Sequence, residues 1–75
     1  MNEVKELFLS IGRDDIDESM SEILSSGVID SMDIMGLVSA IERRYKKPLL
    51  AQFIASENFE SFKSIKDMID EAMKR

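Results

Sequence analysis

Residues 27–42 read GVIDSMDIMGLVSAIE. From residue 31 onward the apolar side chains recur at the three- and four-residue spacing of an amphipathic helix. These apolar residues, together with the tyrosine that follows, are Ile34, Leu37, Val38, Ile41 and Tyr45. On a helix that turns about 100° per residue, all five lie within one arc of about 100°. The pattern therefore predicts a helix from Ser31 to Tyr45 that ends shortly before Pro48, since proline commonly follows a helix end.

The predicted helix begins at an Asp-Ser pair, Asp30 and Ser31. Either side chain could accept a hydrogen bond from the first free N–H groups of the helix, so capping alone explains the pair. Met32 and Met35 lie outside the apolar arc, at about 160° and 100° from Ile34, and Ser31 lies at its edge, at about 60°. Exposed methionine is adaptable and common on surfaces that meet several partners. The pattern predicts a partner surface, unless other parts of so small a domain cover the methionines.

The rest of the chain predicts two further helices and no strand, because no segment alternates with a period of two. The first helix can start at Asn2 and end at Gly12, and its apolar face is expected to be Val4, Leu7, Phe8 and Ile11. The last is expected to be capped by Ser64 and Asp67, and its face is Ile65, Met68, Ile69 and Ala72. A long loop, residues 12–30, is expected to be held to the core by Ile16, Met20, Ile23 and Leu24. Residues 49–63 look irregular, with a short turn at 56–59, so residues 1–75 are predicted to form a single all-α domain.

The amino-acid composition excludes most of the common catalytic mechanisms. The 75 residues contain no cysteine and no histidine. Disulfides, thiolate metal sites, histidine ligands and Ser-His or Cys-His nucleophile pairs are therefore excluded. Because no secretory signal and no apolar run of about 18 residues is found, we expect a soluble protein, and the absence of cysteine suits the cytoplasm.

The net charge of −5 is unevenly distributed. Residues 1–42 hold ten acids and two bases, and residues 43–75 hold five acids and eight bases. The acids before and within the predicted second helix would favour basic partner surfaces, and they are Asp14, Asp15, Asp17, Glu18, Glu22, Asp30 and Asp33. The basic run around Tyr45, residues 43–47, suits a solvated helix end, and the acidic balance argues against a nucleic-acid partner. A calcium loop starting at Asp15 fails, because its sixth and twelfth positions are Met20 and Ser26 rather than Gly and Glu.

The pattern GxxDSxDxxxLVxxIE resembles the acyl carrier protein family, which also includes peptidyl and D-alanyl carrier proteins. Its residues here are Gly27, Asp30, Ser31, Asp33, Leu37, Val38, Ile41 and Glu42. A later pattern is similar to the family's segment entering the last helix, and it consists of Glu57, Asn58, Phe59, Ser61, Ser64 and Ile65. The resemblance implies a four-helix bundle of three main helices and a short third helix.

The resemblance also implies a function. Ser31, beside Asp30, would receive 4′-phosphopantetheine from coenzyme A through a dedicated transferase, and the thiol of that arm would hold an acyl or aminoacyl group as a thioester. The protein would be a monomeric carrier, neither an enzyme nor a metal protein. Its partners would be the transferase, a loading ligase and a downstream transferase or synthase. They are expected to contact the start of the second helix at Met32, Asp33, Met35 and Gly36.

Two departures separate the chain from carriers of housekeeping fatty-acid synthesis. Gly36 stands where those carriers usually have a partner-contacting glutamate, and residues 43–47 are basic where their second helix is acidic. A mid-helix glycine costs about 1 kcal/mol relative to alanine, so close approach by a partner is one expected compensation. A specialised pathway of lipid or secondary-metabolite biosynthesis is therefore favoured. The alternative is a small helical interaction module that docks through Met32 and Met35 and carries no prosthetic group.

Overall fold

Helices account for the regular structure of the chain. The computed structural model describes residues 2–73 and contains α1 (Asn2–Ser10), α2 (Ser31–Tyr45) and α3 (Phe62–Met73). Two short 3₁₀-helices, Ala51–Phe53 and Ser56–Phe59, lie between α2 and α3. Within residues 2–73 there is no β-strand and no helix long and apolar enough to cross a membrane. The all-α class and both predicted ends of α2 are confirmed, and the turn expected at 56–59 is a 3₁₀-helix.

One apolar cluster joins the three helices and the loops between them. Phe8 of α1 stacks on Phe62 of α3, with ring centroids 5.4 Å apart and ring planes 12° apart. Such pairs add about 0.5–1.5 kcal/mol beyond the area they bury. The apolar positions predicted for α1 and α3 are inside or against this cluster, as expected.

The long loop between α1 and α2 is held against the core by two isoleucines. Ile16 and Ile23 are 0% and 1% exposed, which confirms the predicted attachment. A polar contact that the sequence did not reveal reinforces it: Glu60 accepts hydrogen bonds from the N–H groups of Leu24 and Ser25, both at 3.0 Å. The Ser25 hydroxyl donates to the other oxygen of Glu60, and the Ile23 N–H donates to its backbone carbonyl. The loop is thereby fixed to the turn that precedes α3.

Helices α1 and α2 run antiparallel, as contacts between the start of α1 and the end of α2 show. The Tyr45 hydroxyl donates to Glu3, and Arg44 contacts Glu3 at 3.1 Å and Glu6 at 3.0 Å. The buried face of α2 is wider than the predicted arc, because Ala40 is only 5% exposed. Two residues of the predicted arc, Ile34 and Tyr45, are instead half-buried.

The predicted cap of α3 is wrong by one helical turn. Ser61, not Ser64, precedes the helix, and its hydroxyl accepts from the Ser64 N–H at 3.1 Å. The Ser64 hydroxyl accepts from the Ser61 N–H at 3.0 Å, which completes a reciprocal capping pair. Asp67 pairs with Lys63 at 2.9 Å, one turn away on the exposed surface. A serine can therefore take the position that glutamate or glutamine usually occupies in this motif.

Candidate functional site at the start of α2

Asp30 caps α2. Its backbone is extended, with φ −131° and ψ −174°, and its side chain accepts from the N–H groups of Met32 at 3.0 Å and Asp33 at 3.1 Å. Asp33 reciprocates, because its Oδ2 accepts from the Asp30 N–H at 3.2 Å. The sequence did not decide whether Asp30 or Ser31 caps the helix, and in the structure Asp30 does.

Ser31 is the first residue of α2 and is exposed. Its hydroxyl makes no hydrogen bond to any of residues 2–73. A serine at a helix start usually caps the helix, but here the neighbouring Asp30 already does so. What remains is an accessible hydroxyl at the positive end of a helix, where the helix dipole stabilises an attached anion.

Two methionines lie beside this hydroxyl. Met32 is 81% exposed and Met35 is 59% exposed. The alternative that other parts of the domain cover them is therefore wrong. Their predicted contact with a partner stays a prediction, and it is consistent with the polarizable, adaptable character of the thioether.

Asp33 and Gly36 face another direction. At about 100° per residue, Asp33 lies about 200° around the helix from Met35, and its carboxylate meets Arg13, with Nη1 of Arg13 2.5 Å from Oδ2. A Cβ on residue 36 would lie 3.2 Å from Cγ2 of Ile11. The four predicted partner residues therefore form two groups: a methionine surface, and a pair turned toward the end of α1. Partner contact at Asp33 and Gly36 stays a prediction, but both already have an intramolecular role.

Arg13 is the residue at this site that the sequence reading missed. Its guanidinium contacts Asp15 at 3.1 and 3.2 Å, Asp33 at 2.5 Å and the backbone carbonyl of Val28 at 2.7 Å. The hydrogen bond to Asp15, followed by the nearby charge of Asp33, raises the pKa of Arg13 above its ordinary value. The sequence does carry one sign of this role: Arg13 is the only basic residue between residues 6 and 42, so the acids around it have no other nearby cation in the sequence.

The acids expected to attract basic partners are not equivalent. Hydrogen bonds from Arg13 lower the pKa of Asp15, and hydrogen bonds from Ser19 lower the pKa of Asp17. Asp14, Glu18 and Glu22 are exposed on the loop. Among residues 2–73, no three acidic side chains come together as a metal site would require. This arrangement favours a solvated acidic surface on the loop. Next to α2, Asp15 and Asp33 are already paired with Arg13.

The basic end of α2 is partly used inside the molecule. Arg44 is tied to α1, and Nζ of Lys47 lies 3.5 Å from the carbonyl oxygen of Met73 at the end of α3. A cation near the carbonyl end of a helix is favourable. The surface groove between α1 and α2 is lined by Glu6, Leu7, Ser10, Ala40, Arg43 and Arg44 and does not include Ser31.

Comparison with known proteins found no family model, no curated protein and no solved structure that matches the chain.

Proposed function

We propose that the chain is a phosphopantetheine-dependent carrier protein modified on Ser31. The observation that carries the proposal is the hydroxyl of Ser31, which is exposed and unbonded among residues 2–73 while Asp30 caps the helix. A serine held at the first position of a helix without a capping role is available for modification. The chain resembles the acyl carrier family over the same residues, which gives this accessible hydroxyl a specific use.

The residues around Ser31 suit a phosphodiester. Its single negative charge would lie at the start of α2, where the helix dipole favours an anion. Residues 30–33 supply no general base for the hydroxyl beyond carboxylates that already cap the helix or pair with Arg13. An external transferase must therefore activate Ser31. When attached, the arm supplies the thiol that a chain without cysteine lacks.

The rest of the fold is compatible with a carrier of the acyl-carrier type. In this proposal the two 3₁₀-helices, at 51–53 and 56–59, occupy the place of that family's short third helix. The exposed Met32 and Met35 supply contacts for the transferase, the loading ligase and the downstream enzyme. Gly36 and the basic residues 43–47 favour a specialised biosynthetic pathway in the cytoplasm over housekeeping fatty-acid synthesis, with the carrier acting as a monomer.

The proposal is tested by incubating the protein with coenzyme A and a broad-specificity phosphopantetheinyl transferase. The intact mass should increase by one phosphopantetheine, and Ser31→Ala should abolish the increase. Ser39→Ala is the matched control, because Ser39 is an exposed serine on the same helix. The proposal fails if several active transferases leave the wild-type mass unchanged.

A second candidate is a helical interaction module that has no prosthetic group. It is favoured by one observation, the exposure of two neighbouring methionines, 81% for Met32 and 59% for Met35. Such a module would bind its partner equally well with Ser31 or alanine at position 31, whereas a carrier would deliver no cargo after Ser31→Ala.

A further inference from the structure

Arg13 joins the two flanks of Ser31. Its Nη2 donates to the carbonyl of Val28, three residues before Ser31, at 2.7 Å. Its Nη1 donates to Asp33, two residues after Ser31, at 2.5 Å. A planar guanidinium can hold both partners at once because its donors point in fixed directions. The segment that carries Ser31 is therefore clamped on both sides by one side chain.

The clamp reaches the cap of α2 through a single atom. Oδ2 of Asp33 accepts from Arg13 and also from the Asp30 N–H. Asp30 in turn accepts from the N–H groups of Met32 and Asp33. Arg13 fixes the position of the Asp33 carboxylate, so a loss of Arg13 should free that carboxylate to rotate away from the Asp30 N–H and should loosen the reciprocal cap around Ser31.

Arg13 is itself fixed to the end of α1. Its N–H donates to the carbonyl of Phe8 at 2.9 Å, and Phe8 is fully buried. Its Nε and Nη2 contact the carboxylate of Asp15 at 3.1 and 3.2 Å, which orients the guanidinium. Through Arg13, the first turn of α2 is thus held against the end of α1, at a residue that belongs to the core.

We propose that Arg13 is a positioning residue that acts through Asp33 to orient Ser31 for modification. In that reaction Oγ of Ser31 attacks the phosphorus of coenzyme A that bears the pantetheine arm, the pyrophosphate P–O bond breaks and 3′,5′-ADP leaves. The transferase takes the proton of the hydroxyl. The inference rests on the proposed function. It assigns Asp33 an intramolecular role, in place of the direct partner contact expected from the sequence. Arg13 bonds to Asp33 and Val28 and not to Ser31 itself. Its removal should therefore lower the rate at which bound Ser31 reacts and leave the affinity for the transferase unchanged.

The effect on the helix start is measurable without any transferase. In Arg13→Gln, amide hydrogen exchange at Met32 and Asp33 should accelerate about tenfold, because the cap opens more often, while amides of α3 keep their protection. Arg43→Gln is the matched control, because Arg43 is exposed and makes no hydrogen bond or ion pair with Arg13, Ser31 or Asp33. Unchanged exchange at Met32 and Asp33 would overturn the proposed clamp.

The effect on modification is measured by transferase kinetics at a temperature where every variant is folded. Arg13→Gln should lower kcat about tenfold with KM unchanged, Asp33→Asn should do the same, and the double variant should lose no more than either alone. Arg13→Lys should recover only part of the rate, because a lysine cannot hold Val28 and Asp33 together.

Two outcomes of the kinetics count against the proposal. If Asp33→Asn costs a further tenfold in the Arg13→Gln background, Asp33 contacts the partner directly. If Arg13→Gln reacts at the wild-type rate, Arg13 does not position Ser31. A wild-type protein that accepts no phosphopantetheine is a different failure, that of the proposed function, and the exchange measurement then still decides whether Arg13 holds the first turn of α2.

Discussion

Ile11 lies against Gly36, so closely that a Cβ added to residue 36 would be 3.2 Å from its Cγ2 atom. This contact explains a glycine in the middle of α2, where glycine costs about 1 kcal/mol relative to alanine. The chain accepts that cost because α1 and the turn after it pack close to α2 at this point. Close approach at Gly36 is therefore supplied by Ile11 of the same chain, and the approach of a partner expected from the sequence stays a prediction.

Gly36→Ala tests this contact by its dependence on Ile11. In the wild-type protein the gain in helix propensity and the crowding against Ile11 oppose each other, so the free energy of unfolding should change by less than about 0.5 kcal/mol. In an Ile11→Ala background the crowding is gone, and Gly36→Ala should stabilise by about 1 kcal/mol. Urea unfolding of the four proteins gives the coupling. Equal effects in both backgrounds would show that Ile11 is not the reason for the glycine.

Asp30 and Ser31 should differ sharply in what they contribute to stability. Asp30→Ala removes the acceptor for the N–H groups of Met32 and Asp33 and should cost about 1 kcal/mol. Ser31→Ala removes a hydroxyl that has no partner among residues 2–73 and should change stability by less than about 0.5 kcal/mol. Chemical denaturation at neutral pH measures both. A Ser31→Ala protein as unstable as Asp30→Ala would mean that Ser31 takes part in the cap.

The two exposed methionines should matter to partners and not to the fold. Met32→Ala and Met35→Ala should lower the rate of modification by the transferase and leave the melting temperature within about 2 °C of wild type, because neither side chain is buried. Leu50→Ala is the control, since Leu50 is 57% exposed in the segment that follows the other end of α2. A large fall in melting temperature with normal modification would assign the methionines to the core.

The contact between Glu60 and the long loop should make stability depend on pH. Hydrogen bonds from the Ser25 hydroxyl and N–H, and from the Leu24 N–H, lower the pKa of Glu60 from its ordinary value of 4.5. A carboxylate whose pKa is lowered in the folded protein contributes its full stability above pH 4.5. That contribution is lost as the pH falls through the lower pKa of the folded state. Glu60→Gln should therefore unfold at a lower urea concentration at pH 7, and the gap to wild type should narrow below about pH 4.5.

Glu57→Gln is the matched control for the pH measurement, because Glu57 is an exposed glutamate in the same segment. Its unfolding curve should follow that of wild type across the range. A Glu60→Gln gap that stays constant from pH 7 to pH 3 would show that the charge of Glu60 is not what holds the loop.

Local periodicity was enough to predict the helices. The apolar spacing of Val4, Leu7 and Phe8 and of Ile65, Met68 and Ile69 places α1 and α3, because a helix in a small domain must bury one face. The cap of α3 was predicted wrongly because both Ser61 and Ser64 can act as caps, and local sequence does not say which serine the chain places first.

The candidate site was predictable only in part. The exposure of Met32 and Met35 follows from their angle on α2, and the structure confirms it. The contact between Arg13 and Asp33 joins residues twenty positions apart, and that between Glu60 and Ser25 joins residues thirty-five apart. Neither follows from periodicity, because each depends on how the long loop folds back across the start of α2 and α3.

The most direct test of the account is to find which residue accepts phosphopantetheine. The protein is incubated with coenzyme A and a transferase, digested, and sequenced by tandem mass spectrometry, with Ser31→Ala alongside. Of the ten serines in the chain, Ser31 alone should carry the group, and the Ser31→Ala protein should carry none. Modification at another serine, or no modification by several active transferases, would contradict the account.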